Sequence, residues 1–349
     1  MSSADRLLLH ETHVASGAIF AQRQAQPFVT SYGDPAGEYE AALDGAALVD
    51  LAERDVIVVS GPKRQSFLQG MLSNDVEGCG PGHGCRAAMM TAKGRLRFLL
   101  RILVEKDAVR LETDGARLNP LLKDLELYRV AAPVRFAHEP RAVLALLGLQ
   151  AAEVLRALGI DPATSPEGHV RVDLAGQEVV LARAGDLPGG GFVLHAAPEH
   201  ASAAWGALAG SGARPVGREA VDARRVEDLR PWYGFDITEE NLLHETGLLG
   251  ELHSPTKGCY IGQEVVARLE ARGGNVNKGL RRLRLSAPSA PGSALLAGEK
   301  EVGRVTTAAV SPRLGPIALA WVHRGHFEPG SELSVDGSQA TVVGSFDQE

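Results

Sequence analysis

The sequence predicts an α+β fold in two parts: two ferredoxin-like α/β-sandwich subdomains, followed by a small C-terminal β-barrel. Three observations predict it. Strand, helix, two strands, helix and strand can be read in that order to about residue 137, giving helices on one face of an antiparallel sheet. A second pass of similar type runs on to about Ala209. From Gly279 onward the texture changes, and short β-rich runs alternate with Gly and Pro turns. Domain limits follow as 1–275, with subdomains of about 1–137 and 138–275 between which the chain crosses, and 279–349 for the barrel. Gly273-Gly274-Asn275 is the natural hinge.

Residues 1–45 are short pieces broken by Gly17, Pro27, Gly33, Pro35 and Gly37, with a short helix expected from Glu38 to Leu43. The β-branched run Val56 to Val59 is a strand that stops at Ser60-Gly61-Pro62. Pro62 suits the first turn of a helix, Phe67, Leu68, Met71 and Leu72 give that helix its apolar stripe, and Ser73-Asn74-Asp75 closes it. In Gly78 to Cys85, two cysteines flank a histidine, but zinc takes four ligands at established spacings. With four glycines and a proline the segment reads as a plain turn, and no metal site is assigned.

Ala87 to Thr91 and Leu96 to Val104 form a hairpin joined at Lys93-Gly94. In its second strand Arg95, Arg97 and Arg101 share a face, which is either a solvated surface or a wall facing an anion. A helix over Pro120 to Tyr128 and a strand at Val134-Arg135-Phe136 complete the first pass. The second consists of a strand at Val143 to Leu147, a helix at Ala151 to Leu158, strands at Val170 to Leu174, Glu178 to Ala182 and Phe192 to His195, and a helix at Glu199 to Ala209. The loop Asp186 to Gly191 lacks a GK[ST] ending and precedes a strand, so it is not a phosphate-binding loop of nucleotide enzymes. The barrel strands are Leu280 to Leu285, Val302 to Val310, Ile317 to Val322, Leu333 to Val335 and Ala340 to Val343.

Composition narrows the function. The chain has 349 residues, a formal charge of -7 and 44% hydrophobic residues, which fits a globular protein and argues against a general nucleic-acid coat. No apolar run approaches the length of a membrane span, and no secretory or transit segment is apparent. Three cysteines are no disulfide framework, so the expected compartment is the cytoplasm.

One stretch concentrates chemistry. Lys257-Gly258-Cys259-Tyr260-Ile261-Gly262-Gln263-Glu264 holds a cation, a thiol, a phenol, an amide and a carboxylate, with two glycines that let the backbone turn tightly. Val265, Val266 and Leu269 then mark a helix that Gly273-Gly274 stops. A thiol just before a helix N-terminus, with Lys257 two residues away, is placed for thiolate character, which makes Cys259 a candidate reactive thiol. The bland alternative is a small buried cysteine among ordinary surface charges.

The order of several motifs resembles the glycine-cleavage T-protein (aminomethyltransferase) superfamily, over nearly the full chain. Ser60-Gly61-Pro62 with Phe67-Leu68-Gln69-Gly70 and Leu72-Ser73-Asn74-Asp75 resembles its first strand–helix unit. Arg225-Val226-Glu227 followed by Tyr233-Gly234-Phe235-Asp236-Ile237-Thr238 resembles its pterin-pocket segment, and Gly298 with Glu301-Val302-Gly303-Arg304-Val305 its C-terminal barrel. The Lys257 to Glu264 stretch resembles the signature of the YgfZ branch, the folate-binding factors of iron–sulfur protein maturation, and the transferases proper lack that cysteine.

The resemblance implies a T-protein-like folate-binding domain, tetrahydrofolate or a one-carbon derivative as cofactor, and iron–sulfur client or assembly proteins as partners, with no nucleic acid and no membrane. It implies Glu227 as the carboxylate that accepts a reduced pterin's guanidine-like edge, or alternatively as a helix-face acid paired to Arg224 or Arg230. Tyr233 and Tyr260 are candidates to flank the rings, Asn74 and Gln263 to add polar contacts, and Arg95, Arg97 and Arg101 to face the anionic glutamate tail. Cys259 and Lys257 are the candidate working pair, with Gly258, Gly262 and Glu264 completing the motif. The acid that helps the folate nitrogen accept a one-carbon unit in the transferases falls here at about Arg97 and Phe98, and an arginine supplies no carboxylate. Three readings stand: a folate-binding factor for iron–sulfur assembly or repair, a true one-carbon transferase, and a folate-binding scaffold without chemistry.

Overall fold

The computed structural model describes residues 7–23 and 26–344. It contains a five-stranded sheet, a six-stranded sheet, a closed six-stranded barrel and a separate two-stranded ribbon, with helices packed on the larger sheets. The chain divides into two compact units that do not follow sequence order. Among the described residues, one is drawn from 7–67, 76–85 and 100–224, the other from 68–75, 86–99 and 225–344. No helix among the described residues is long and apolar enough to cross a membrane.

In the first unit the six-stranded sheet runs His169–Leu174, Gln177–Ala184, Gly191–Ala196, Ala142–Leu147, Ala47–Asp50, Arg214–Pro215. Ala142–Leu147 lies inside it with every residue buried, which explains why its sequence is a continuous apolar run and not an alternating one. Leu48, Leu144, Leu146, Leu194, Trp205 and Leu208 form the core beneath. The five-stranded sheet has the order His83–Met90, Leu96–Val104, Ala108–Asp114, Arg54–Ser60, Arg135–Glu139.

Two expectations are corrected here. The segment Gly78 to Cys85 is a turn only at its start, because His83, Gly84 and Cys85 open the strand His83–Met90. Gly84 is there for space: a Cβ on it would lie 2.1 Å from the carbonyl oxygen of Ile102, so the backbones approach too closely for a side chain. The arginine row is also not a uniform face. Arg95 is exposed and Arg97 half-buried, but Arg101 is 3% exposed, its guanidinium bound by Glu167 and Asp186 and its Nε 3.3 Å from Glu112. Arg101 is interior because three carboxylates meet it there, and it is not available to a glutamate tail. Glu112 is shared with Arg54 at 2.5 Å and His195 at 2.8 Å. Burial works to raise its pKa, and Arg101, Arg54 and His195 overcome this and hold the carboxyl well below the usual range.

In the second unit the barrel order is Lys278–Leu285, Gly315–His323, Lys300–Ser311, Ala294–Ala297, Glu332–Val335, Ser338–Gly344, closing on the first strand. Ala294–Ala297 is absent from the sequence reading because four residues carry too little alternation. Leu283, Leu295, Val305, Ala320, Val335 and Val342 fill the interior. The helix Arg218–Glu227 was read only around Glu227, as a candidate helix face, its apolar positions being few among charges.

Candidate functional site

The Cys259 loop is built from the helix that follows it. Gln263–Glu270 is helical, with Val266 buried among Met90, Leu96, Leu243, Leu252 and Tyr260. Gly262 caps its N-terminus at φ +87, a left-handed conformation that glycine adopts without steric penalty. A Cβ on Gly262 would also meet the Thr91 carbonyl oxygen at 2.7 Å, and one on Gly94 would meet Val265 Cβ at 2.6 Å. The hairpin tip and the start of the helix therefore pack closely, Gly262 against the Thr91 backbone and Gly94 against the Val265 side chain. Gly258 is different: its φ is ordinary and a Cβ there would meet nothing within 4 Å. The expectation that both glycines serve a tight turn holds for Gly262 alone.

Lys257 is directed away from solvent. Its Nζ donates to the carbonyl oxygens of Gln69 at 2.6 Å and Asn74 at 3.0 Å and also to that of Leu72. These acceptors lie at the end of the helix Arg64–Met71, where carbonyls lack intrahelical donors. The ammonium also lies 5.0 Å from the centre of the Tyr260 ring. The same turn is stitched to the loop's approach: Ser254 N–H donates to Ser73 O at 3.1 Å, and Asn74 Nδ2 donates to Arg86 O at 2.8 Å and Glu251 O at 3.1 Å. Asn74 Oδ1 accepts from Asp75 N–H at 2.9 Å, so the whole side-chain amide is engaged in holding the turn. Gln263 has a comparable duty, its Oε1 accepting from Tyr260 N–H at 3.1 Å.

Cys259 is exposed, and no hydrogen bond or ion pair among the described residues reaches it. Glu264 stands exposed in the helix's first turn, where the dipole favours an anion. Tyr260 is 8% exposed and its hydroxyl, enclosed, meets no hydrogen-bond partner among the described residues. Burial, with Glu270 adding to it, pushes this phenol up to about 12, so it remains a protonated donor at neutral pH. His253 lies 5.9 Å from Tyr260, ring centre to ring centre, and 3.7 Å from Glu270.

The segment after Arg218–Glu227 is anchored to the barrel. Arg225 is fully buried, donating to Asp236 at 2.5 Å and Thr307 Oγ1 at 2.7 Å, beneath the rings of Trp232 and Phe235. Glu227, 3% exposed, accepts from Ser311 Oγ and, at 3.0 Å, from the guanidinium of Arg313. Arg313, from the barrel, is thus an ion-pair partner that the sequence reading did not name. Tyr233 packs on the same apolar cluster as Tyr260, and the Arg97 guanidinium lies 5.6 Å from the Phe98 ring centre. The structure thus brings Lys257, Asn74, Tyr260 and Gln263 into one assembly, while Glu227 has barrel partners that no spacing in the sequence announced. A cleft of about 620 Å³, lined by Arg95, Glu239, Glu240, Asn277, Lys278 and His323, was also unforeseen, since its residues come from distant segments.

Residues 9–251 match the family described as GCVT N-terminal domain, and residues 278–344 the glycine cleavage T-protein C-terminal barrel domain. The chain is 31% identical to an aminomethyltransferase of Saccharopolyspora erythraea over 348 residues, covering 96% of this chain and 95% of that protein. It is 29% identical to an aminomethyltransferase of Streptomyces coelicolor, covering 95% and 93%. Its fold is similar to the crystal structure of glycine cleavage system aminomethyltransferase T from Bartonella henselae, with a TM-score of 0.88 at 23% identity, covering 98% of this chain and 97% of that one.

Proposed function

Since the chain belongs to the glycine-cleavage T-protein (aminomethyltransferase) family, we propose that it is a tetrahydrofolate-binding member that assists iron–sulfur cluster assembly or repair through Cys259. The observation that carries this reading is the exposed Cys259 on a loop fixed by Lys257 and Gly262. The motif around it resembles that of the YgfZ branch.

The residues present fit a reduced pterin. Its guanidine-like edge needs a carboxylate that accepts N–H donors side by side, and Glu227 already accepts from a guanidinium and a hydroxyl. Arg313 has a side chain 54% exposed, so it can leave that carboxylate to a ligand, whereas Glu227 cannot move far at 1%. Tyr233 would offer an aromatic face and the Tyr260 hydroxyl a donor. Tetrahydrofolate, when bound, would supply a nitrogen able to carry a one-carbon unit. Asn74, Gln263 and Lys257 hold the loop that presents Cys259.

The second reading is aminomethyl transfer itself, favoured by relatives of that name across almost the whole chain. Arg97, at about the place of the transferases' acid, argues against it, because a guanidinium cannot take up a proton there. Calorimetric titration of tetrahydrofolate into wild type and Glu227→Ala tests the pocket: binding that weakens at least about tenfold, about 1.4 kcal/mol, supports it, and no binding to either removes it. Cys259→Ala in a host lacking its own copy tests the thiol, and full restoration of cluster-enzyme activities would show it idle. Catalytic release of ammonia from an aminomethyl-lipoyl carrier would instead establish the transferase.

A further inference from the structure

We infer that Lys257 is a positioning residue: it tethers the Cys259 loop to the end of the helix Arg64–Met71, and it does not activate the thiol through its charge. The inference rests on the reading of Cys259 as the working thiol. It reverses the pairing that the sequence suggests, in which a lysine two residues from a cysteine lowers its pKa.

An ammonium has three N–H donors. The carbonyl oxygens of Gln69, Leu72 and Asn74 converge on Lys257 Nζ, and the Tyr260 ring lies 5.0 Å away. Such carbonyls form the negative end of a helix and the turn beyond it, which is where a cation is best stabilised and most fully neutralised. Three carbonyl acceptors suit the ammonium form, and an ammonium has no lone pair for nucleophilic work.

The other end of the loop is fixed independently. Gly262 sits against Thr91, Gly94 sits against Val265, and Gln263 Oε1 accepts from Tyr260 N–H. Gly258 and Cys259 therefore lie between two anchors, at Lys257 and at Tyr260 to Gly262. Both are exposed, and no hydrogen bond among the described residues reaches the thiol. Beside it, the bare backbone of Gly258 opens onto space that a Cβ would not fill. The product of the two anchors is a thiol that is open to a partner yet held in place, so that a reaction partner meets it at a set position without first ordering a loop.

The test uses the full chain with Cys79→Ser and Cys85→Ser, so that only Cys259 reports. Lys257→Met and Lys257→Arg are compared with Lys257 by hydrogen exchange of residues 256–262 and by the pH profile of Cys259 alkylation with iodoacetamide. In Lys257→Met, exchange is expected to accelerate about tenfold or more while the alkylation midpoint stays within about 0.3 pH unit. Lys257→Arg should loosen the loop as well, because a planar guanidinium does not match three converging carbonyls, although the charge is kept. A midpoint that rises by about one unit or more in Lys257→Met, unchanged in Lys257→Arg, would overturn the inference in favour of activation by charge. Unchanged exchange in both variants would refute the tether. Should Lys257→Met fail to fold, Lys257→Gln, which also removes the charge, takes its place in both readouts. Neither measurement needs folate or a cluster, so a Cys259→Ala chain that is fully active in cells would sink the proposed function while the tether stood.

Discussion

Arg225 and Asp236 face each other at 2.5 Å with both side chains wholly shielded from solvent, and this pair fixes the segment after Arg218–Glu227 to the barrel. Asp236 also accepts from Trp232 N–H at 2.9 Å, Thr306 Oγ1 at 2.6 Å and Thr307 Oγ1 at 2.7 Å. Asp236→Ala would leave a buried guanidinium without its counter-charge, which is expected to cost about 3–5 kcal/mol. Urea unfolding measures this, and a loss below about 1 kcal/mol would show that water or another carboxylate replaces the partner.

The two glycines of the motif separate fold from access. Gly262→Ala puts a Cβ into a left-handed residue and against the Thr91 carbonyl, and should destabilise by about 2–4 kcal/mol. Gly258→Ala meets nothing within 4 Å and should fall within about 0.5 kcal/mol of wild type. If Gly258→Ala nevertheless lowers cellular function, the loss reports on approach to Cys259. Equal stability of the two variants would contradict the described backbone.

Stability should fall on mild acidification. Burial is the main cause that holds the imidazoles of His169, His244 and His253 below their ordinary value; Glu270 opposes it at the last two, and Lys257 reinforces it at His253. Each histidine is less basic folded than unfolded, so near the unfolded value of about 6.5 the unfolded chain binds more protons. Their contribution is complete above that pH and is lost progressively below it. Urea midpoints at about pH 7.5 and about pH 5.5 should differ in that sense, and His244→Asn with His253→Asn should flatten the difference. Glu112, a depressed acid, acts lower: its contribution is present above about 4.3 and is lost only as pH falls toward its folded value.

Arg313 should compete with the ligand proposed for Glu227. Its exposed guanidinium lies 3.0 Å from the buried Glu227 carboxylate, so Arg313→Ala should tighten tetrahydrofolate binding about two- to fivefold, a modest change because the guanidinium is largely solvated. Weaker binding would make Arg313 a ligand contact. Unchanged binding, alongside an unchanged Glu227→Ala, would place the pterin elsewhere.

The strands and helices were legible wherever neighbours along the chain decide the outcome. The apolar run Leu96 to Val104 is the strand Leu96–Val104, and Val265, Val266 and Leu269 mark the helix Gln263–Glu270, stopped before Gly273-Gly274. Short or charge-bearing elements such as Ala294–Ala297 and Ala108–Asp114 escaped, because their patterns are too brief or too polar to stand out from turns.

By itself, then, the sequence determined the α+β class with its terminal barrel, most of the longer elements, and the position of the stretch from Lys257 to Glu264. Tertiary structure alone decided what those residues do. Lys257 meets carbonyls up to 188 residues away, Arg101 meets carboxylates 66 and 85 residues away, and Glu227 meets Ser311 and Arg313 across 84 and 86. Periodicity and turn chemistry act over a few residues and are written locally. The partner of a long charged side chain is chosen by packing, which brings together groups that no local pattern relates.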